Sequence, residues 1–303
     1  MIRIGLMDLD TGHALAFTKR LNDMADVQVT AVYDHGDVRD ASEIAAFADM
    51  FDCQVVESIA QLADLVDGVM VLGVDWNKRF ERAAQLIKRN VPVFMCKPTV
   101  GSVSDIESLI ALQQQTGSPV MTGSGWRWCK PTQEAAASID ISKVTHFAVH
   151  APMPRFYYGV HGWEFLAGLL GAGVQWIEPV AITEKSVHFA CCHISGVQGD
   201  VYVGSDRARV IQWTDEQGEH ELELDIPSIQ LGFCQTFVDM IKTGNMPAPI
   251  ASQLLPVRCG ILAEQACELG RRVMASELEQ SRIVTTSQFM QTYHARPLLP
   301  QTV

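Results

Sequence analysis

The residues of this chain best suited to chemistry are a lysine at 97 and a histidine at 161. Lys97 closes the apolar run Val93-Phe94-Met95-Cys96 and is followed by Pro98. Such a run reads as a buried strand, with the lysine at its carboxyl end. In open α/β sheets, ligands bind in the crevice beyond those ends. A partly desolvated ammonium there can bind a substrate hydroxyl and stabilise a developing alkoxide. His161 lies in Tyr157-Tyr158-Gly159-Val160-His161-Gly162-Trp163-Glu164. Three positions apart on an expected helix, His161 and Glu164 share a face. A carboxylate beside an imidazole orients it and raises its pKa toward general-base work. Tyr157 or Tyr158 would position a substrate or donate a hydrogen bond. Each residue alone also has a plain structural reading. Lys97 would be a surface lysine, His161 a satisfied core histidine, and Phe156, Tyr157, Tyr158 and Trp163 core packing.

The elements that must position these residues alternate. Apolar stretches at Ile2 to Met7, Val27 to Tyr33, Val55-Val56, Val69 to Leu72, Val93 to Cys96 and Val120 to Thr122 are separated by helical patterns. Continuous apolar strands between helices predict a parallel sheet covered on both faces, the doubly wound Rossmann architecture. After Trp128 the pattern changes. Val144 to Val149, Val187 to Ile194, Val201 to Val203, Val210 to Trp213 and Leu222 to Leu224 alternate apolar with polar, as in an antiparallel sheet with one packed face. Helices are expected at Gly159 to Leu170, Leu231 to Lys242 and Leu254 to Met274. The expectation is α/β: a dinucleotide-binding domain over residues 1–125, then an α+β domain over 126–303 with a mostly antiparallel open sheet.

The first strand–turn–helix is where a dinucleotide diphosphate would rest. The usual fingerprint there is G-x-G-x-x-G. This chain has Asp8-Leu9-Asp10-Thr11-Gly12-His13, with aspartates at both early glycine positions. Asp10 or Thr11 can cap the helix, and amides from Thr11 to His13 can still face an anion. Asp34 ends the second strand near the spacing at which an acid binds a ribose 2′-hydroxyl and rejects a 2′-phosphate. It would equally serve as a helix-capping or solvated aspartate.

Bulk properties narrow the classes. The chain has 303 residues, 48% hydrophobic, and a net charge of −12. That balance argues against nucleic-acid and anionic-membrane partners. Its 8 cysteines form no C-x-x-C pair, which fits reduced thiols in a cytoplasmic protein. An acid at residue 8 is unlike a secretory leader. His146, His150, His188 and His193 alternate on expected strands without zinc-site spacing, so no metal is expected.

Taken together, these residues resemble the glucose-fructose oxidoreductase / inositol dehydrogenase / rhizopine-catabolism (Gfo/Idh/MocA) family. The resemblance rests on Ile4-Gly5-Leu6, Val32-Tyr33-Asp34, Val93 to Pro98, Gly123 to Trp128, Gly159-Val160-His161 and Phe237 to Gly244. It implies a Rossmann domain, NAD rather than NADP, and hydride transfer to or from a hydroxyl or carbonyl carbon of a sugar, cyclitol or sugar derivative. It further implies a homodimer or homotetramer. Lys97 would match the lysine of a Glu-Lys-Pro motif, and His161 the histidine of an Asp-x-x-x-His motif. Glu164 would match an acid that often follows that histidine, Asp34 the ribose-binding acid, and Arg127 an arginine after the last Rossmann strand. Asp10, Thr11, Gly12 and His13 would form the phosphate turn. The sequence departs from the family pattern at Cys96, in place of the motif glutamate, and at Tyr157, in place of the motif aspartate. Two other functions share the scaffold: a non-catalytic binding or regulatory protein, and non-redox sugar chemistry.

Overall fold

The unbroken apolar runs become six parallel strands in the computed structural model, which describes residues 1–298. They are β1 (Ile2–Met7), β2 (Val27–Tyr33), β3 (Gln54–Val55), β4 (Gly68–Val71), β5 (Val93–Cys96) and β6 (Val120–Gly123), in the order β3-β2-β1-β4-β5-β6. Every residue of β4, β5 and β6 is buried. Five helices cover the sheet: α1 (His13–Asn22), α2 (Ala41–Phe51), α3 (Ile59–Leu65), α4 (Arg79–Ile87) and α5 (Val103–Thr116). Local signals explain their ends. Asp40 and Glu43 close a reciprocal capping box on α2. Ser102 caps α5, and Gly117 ends it at φ +70°. The strand order reverses between β1 and β4, so a crevice opens there at the carboxyl edge.

The second part of the chain builds a seven-stranded sheet. It begins with α6 (Gly125–Trp128), α7 (Lys130–Ser138), β7 (His146–Ala151) and α8 (Val160–Leu170). There follow β8 (Val174–Ile182), β9 (Val187–His193), β10 (Gln198–Val203), β11 (Val210–Asp215) and β12 (Gly218–Glu223). The chain continues through α9 (Ile226–Thr243), α10 (Ile250–Leu269), β13 (Val273–Met274) and α11 (Ser287–Thr292). The sheet order is β12-β11-β7-β10-β9-β8-β13, and only the β7–β10 pair is parallel. Two expected helices shift. The one expected from Leu231 starts at Ile226, because Asp225 caps it. The one expected to reach Met274 stops at Gly270, whose φ of +62° ends the helix and frees Val273–Met274 to pair with β8. All eight cysteines are unpaired thiols.

The stretch after α10 returns to the first domain, which the sequence did not suggest. Ile283 bridges to Ser102, and the Val284 carbonyl accepts from Trp76 Nε1 at 2.7 Å. Thr286 bonds to Asp75 and Asn77, just beyond β4. Further on, Tyr293 donates to the Asp10 carbonyl at 2.8 Å, and Arg39 donates to the Arg296 carbonyl at 2.6 Å. Leu298 is buried in the same core as β1 and β2. This strap therefore runs along the carboxyl edge of the Rossmann sheet, from the end of β5 to the ends of β1 and β2.

Candidate active site

Beyond the carboxyl ends of β1 and β5 lies a cavity of about 480 Å³, walled by both domains and the strap. Lys97, the residue after β5, projects into it. Its side chain is buried, with Nζ 3.2 Å from the Tyr157 carbonyl oxygen, 3.5 Å from the Tyr157 ring centre and 4.3 Å from that of Tyr158. Burial lowers its pKa from 10.5 to about 7, and the Arg79 guanidinium pushes the same way. Arg79 is itself buried behind β5 and held by the carbonyls of Gly73, Cys96 and Pro98.

His161, in the first turn of α8, opens on the same cavity. Its Nδ1 lies 2.6 Å from Ser124 Oγ. The ring stacks on Trp126 at 4.7 Å and faces Tyr158 at 6.0 Å. Ser124 also caps α6, accepting from the Trp126 amide, so one serine fixes both the helix start and the imidazole. Burial, with the charges of Lys97 and His13, holds the His161 pKa well below 6.5. The ring is therefore a neutral base at physiological pH. His13 lies with Nδ1 3.1 Å from Cys96 Sγ, and burial lowers its pKa to about 3.

Two expected site residues lie elsewhere. Glu164 does not orient His161. One helical turn along α8 it points away from the cavity, toward Gly123 and Arg127, with Oε2 3.9 Å from Arg127 Nη1. Burial pushes its carboxyl up to about 8, so it is mostly protonated at neutral pH. Gly123, at φ +97°, leaves the space the carboxyl fills, since a Cβ there would run into it. Arg127 does not reach the crevice. Its guanidinium bonds to Ser252 and lies 4.5 Å from the Trp128 ring centre, inside the second domain.

The turn after β1 manages its acids by turning them inward. Asp8 adopts φ +65°, a region open to aspartate, and pairs with Arg82 at 2.8 Å and His35 at 2.7 Å. Asp10 does not cap α1; its Oδ2 accepts from the Val74 amide at 2.8 Å. Burial, with Asp8 nearby, raises its pKa to about 7. The helix begins after Gly12 without a side-chain cap, although the Thr11 hydroxyl accepts from the His13 amide. Asp34 accepts from the Leu9 and Gly36 amides, one on each oxygen. A carboxylate has about four lone-pair sites, so it keeps acceptor capacity for ribose hydroxyls. These features fit a dinucleotide: an uncapped helix start, inward-turned acids and Asp34 at the end of β2. Tyr293 and Arg296 lie across the turn, with the Arg296 side chain 3.6 Å from a Cβ placed on Gly12. Thr11, Gly12 and His13 still line the cavity beside this part of the strap.

Sequence reasoning missed Ser124, Trp126, Arg209 and Arg296 at this cavity. The Ser124-Gly125-Trp126 cap was readable as a helix start. Arg209 and Arg296 carry no local signal, because only the fold brings them here.

Residues 4–124 match the GFO_IDH_MocA family model, described as an oxidoreductase family with an NAD-binding Rossmann fold. The match is confined to the first domain, which resembles that oxidoreductase family. No curated protein matches the sequence. Solved structures of inositol dehydrogenases and other oxidoreductases share the fold at low identity. One is a putative myo-inositol dehydrogenase from Sinorhizobium meliloti, with TM-score 0.78 and 15% identity, covering 91% of this chain and 100% of that one. Another is scyllo-inositol dehydrogenase from Lactobacillus casei with bound NAD(H) and scyllo-inositol, with TM-score 0.79 and 12% identity, covering 91% and 99%. A third is an oxidoreductase from Agrobacterium radiobacter in complex with NAD+, L-tartaric acid and magnesium, with TM-score 0.74 and 16% identity, covering 92% and 99%. Among the described residues, no cluster of metal-ligating side chains occurs and no helix is long and apolar enough to cross a membrane.

Proposed function

We propose that this chain is a Gfo/Idh/MocA-type, NAD-dependent dehydrogenase or reductase acting at a hydroxyl or carbonyl carbon of a sugar, cyclitol or sugar derivative. The observation that carries the reading is the meeting of Lys97 and His161 in one cavity, beside the start of α1. A bound nicotinamide would supply the hydride acceptor or donor. Lys97, half-protonated near neutrality, would hydrogen-bond the reacting oxygen and stabilise its negative charge. His161 would take or return the hydroxyl proton at Nε2, with Nδ1 turned to Ser124. Tyr157 would carry the ammonium on its carbonyl and ring, and Tyr158 would close the other side. Thr11, Gly12 and His13 would bound the diphosphate, with the Asp10 carboxylate directed away from it. Asp34 would favour NAD, because a 2′-phosphate would meet its carboxylate. The reading also takes the chain to be a cytoplasmic homodimer or homotetramer, which light scattering on the purified protein checks.

The test begins with cofactor binding, read as NADH and NADPH fluorescence. NADH is expected to bind more tightly, and Asp34→Arg to reverse that preference. A panel of polyols, sugars and sugar acids then follows by NADH absorbance. Lys97→Ala and His161→Ala should each lower turnover about a hundredfold or more, with little change in NADH affinity. Unchanged turnover in either variant removes that residue from the mechanism. Absence of binding by either cofactor removes the dehydrogenase reading.

A further inference from the structure

The cavity that holds Lys97 and His161 is cationic in an acidic protein. Asp and Glu exceed Lys and Arg by 35 to 23 in the sequence, yet no aspartate or glutamate lines this cavity. Lys97, Arg209 and Arg296 do, beside the neutral rings of His13 and His161. Among the described residues, none of Lys97, Arg209 and Arg296 forms an ion pair. The charges that act on Lys97, His13 and His161 include no carboxylate, and Arg79 adds a buried positive charge behind them. Lys97 is buried and Arg209 half-buried, each without a counter-charge among the described residues, whereas Arg296 is exposed.

The cations fall at two ends. Arg296 lies on the strap beside the α1 turn. Arg209 lies across the cavity on the second domain, just before β11, with Pro152, Ile226 and Gln230 on the same wall. Its backbone is held at φ +81° by bonds to the His150 and Leu224 backbone. Its Nε donates to the Leu224 carbonyl at 3.0 Å, which fixes the guanidinium and leaves its terminal nitrogens without a protein partner among the described residues. A non-glycine residue held at positive φ by surrounding bonds is a feature that clusters at ligand clamps.

We infer that the substrate is an anionic hydroxy compound, a sugar acid or sugar phosphate, whose charged group is bound by Arg209 while its reacting hydroxyl faces Lys97 and His161. This deepens the dehydrogenase reading and rests on it for the reaction, though not for the binding of an anion. Guanidinium pairs with carboxylate and phosphate in a two-point fork, so it selects the charge and orients the molecule together. A cavity of about 480 Å³ is within the range of small-molecule sites.

The experiment uses the full chain and four probes: D-gluconate, D-glucuronate, D-glucose 6-phosphate and neutral myo-inositol. Binding is read by thermal shift and calorimetry with and without NADH, and turnover by NADH absorbance. At least one anionic probe is expected to bind at least about tenfold more tightly than myo-inositol, with an advantage that shrinks as salt rises. Preference for gluconate or glucuronate identifies the anion as carboxylate, and preference for glucose 6-phosphate as phosphate. Arg209→Gln should remove the preference, chiefly through KM, with NADH affinity unchanged. Arg209→Lys should restore part of it, and unfolding midpoints verify that both variants fold. If myo-inositol binds as well as every anion, or Arg209→Gln keeps the preference, the inference is overturned. If NADH never binds but gluconate does, in an Arg209-dependent way, the anion site stands and the dehydrogenase reading falls.

Discussion

Replacing Lys97 by methionine should stabilise the protein while abolishing turnover. The ammonium is almost wholly buried, and its pKa falls from 10.5 to about 7. Between those values the unfolded chain holds a proton that the folded chain has released, so this residue makes stability rise with pH across that window. Below about pH 7 the folded state carries the full burial cost. At about 1.4 kcal/mol per unit, that cost is on the order of 5 kcal/mol near pH 6 and about 2 kcal/mol near pH 9. The rings of Tyr157 and Tyr158 offset part of it, at about 1–2 kcal/mol each for a desolvated cation. The net gain for Lys97→Met is then about 1–3 kcal/mol near pH 6, fading as pH rises. In a chain of this size that is a rise in Tm of roughly 2–10 °C. The assay is differential scanning calorimetry of both proteins over this pH range, beside their turnover. A variant that melts at or below the parent at every pH would refute the reasoning, because the ammonium would then be stabilised where it sits.

Three other perturbations probe the surroundings. Ser124→Ala removes the hydroxyl 2.6 Å from His161 Nδ1 and should lower kcat about tenfold or more with unchanged NADH affinity, read by steady-state kinetics and cofactor fluorescence. Gly123→Ala puts a methyl group into the Glu164 carboxyl at a φ of +97° and should cost about 3 kcal/mol or more, measured by urea denaturation. Combining it with Glu164→Ala should recover part of that loss. Tyr293→Phe and Leu298→Ala loosen the strap over the α1 turn, so NADH should bind severalfold more tightly to each by fluorescence titration while Tm falls slightly.

The sheet and its lysine were legible because their signals are local. A run such as Val93 to Cys96, short, apolar and set between helical patterns, reads as a doubly covered strand, and its end places Lys97 at the crevice. The pairing of His161 with Glu164 failed for a reason of angle. Residues three apart share a face of α8, but that face is broad, and Glu164 turns into the hole left by Gly123 while Ser124 takes the imidazole. Arg127 was misplaced because a position after the last Rossmann strand does not say which side of α6 points to the crevice. Asp8 looked obstructive only while its partners were unknown. Arg82, 74 positions on in sequence, neutralises it, and no window reading finds such a pair. The strap and Arg209 were invisible for the same reason: their meaning lies in long-range contact.

A dinucleotide bound as proposed would share one crevice with the strap, and their balance follows from what holds the strap. Over residues 293–298 the structure shows a hydroxyl bond from Tyr293 to the Asp10 carbonyl, a guanidinium bond from Arg39 to the Arg296 carbonyl, and the burial of Leu298. These contribute about 1, about 1.5 to 3 and about 2 kcal/mol. Ordering six residues of backbone costs at least as much, at about 1 kcal/mol or more each. The segment is therefore near balance between docked and undocked, and a population of a tenth or more undocked lowers apparent cofactor affinity by no more than about tenfold. The anchors at Val284 and Thr286 lie over the far side of the crevice, past β4, and keep the strap attached when its end lifts. Arg296 would leave with that end, while Arg209 is held beside β11 by its bonds to His150 and Leu224. On this balance, entry of a dinucleotide would change the surroundings of the α1 turn, but not the wall that carries Arg209.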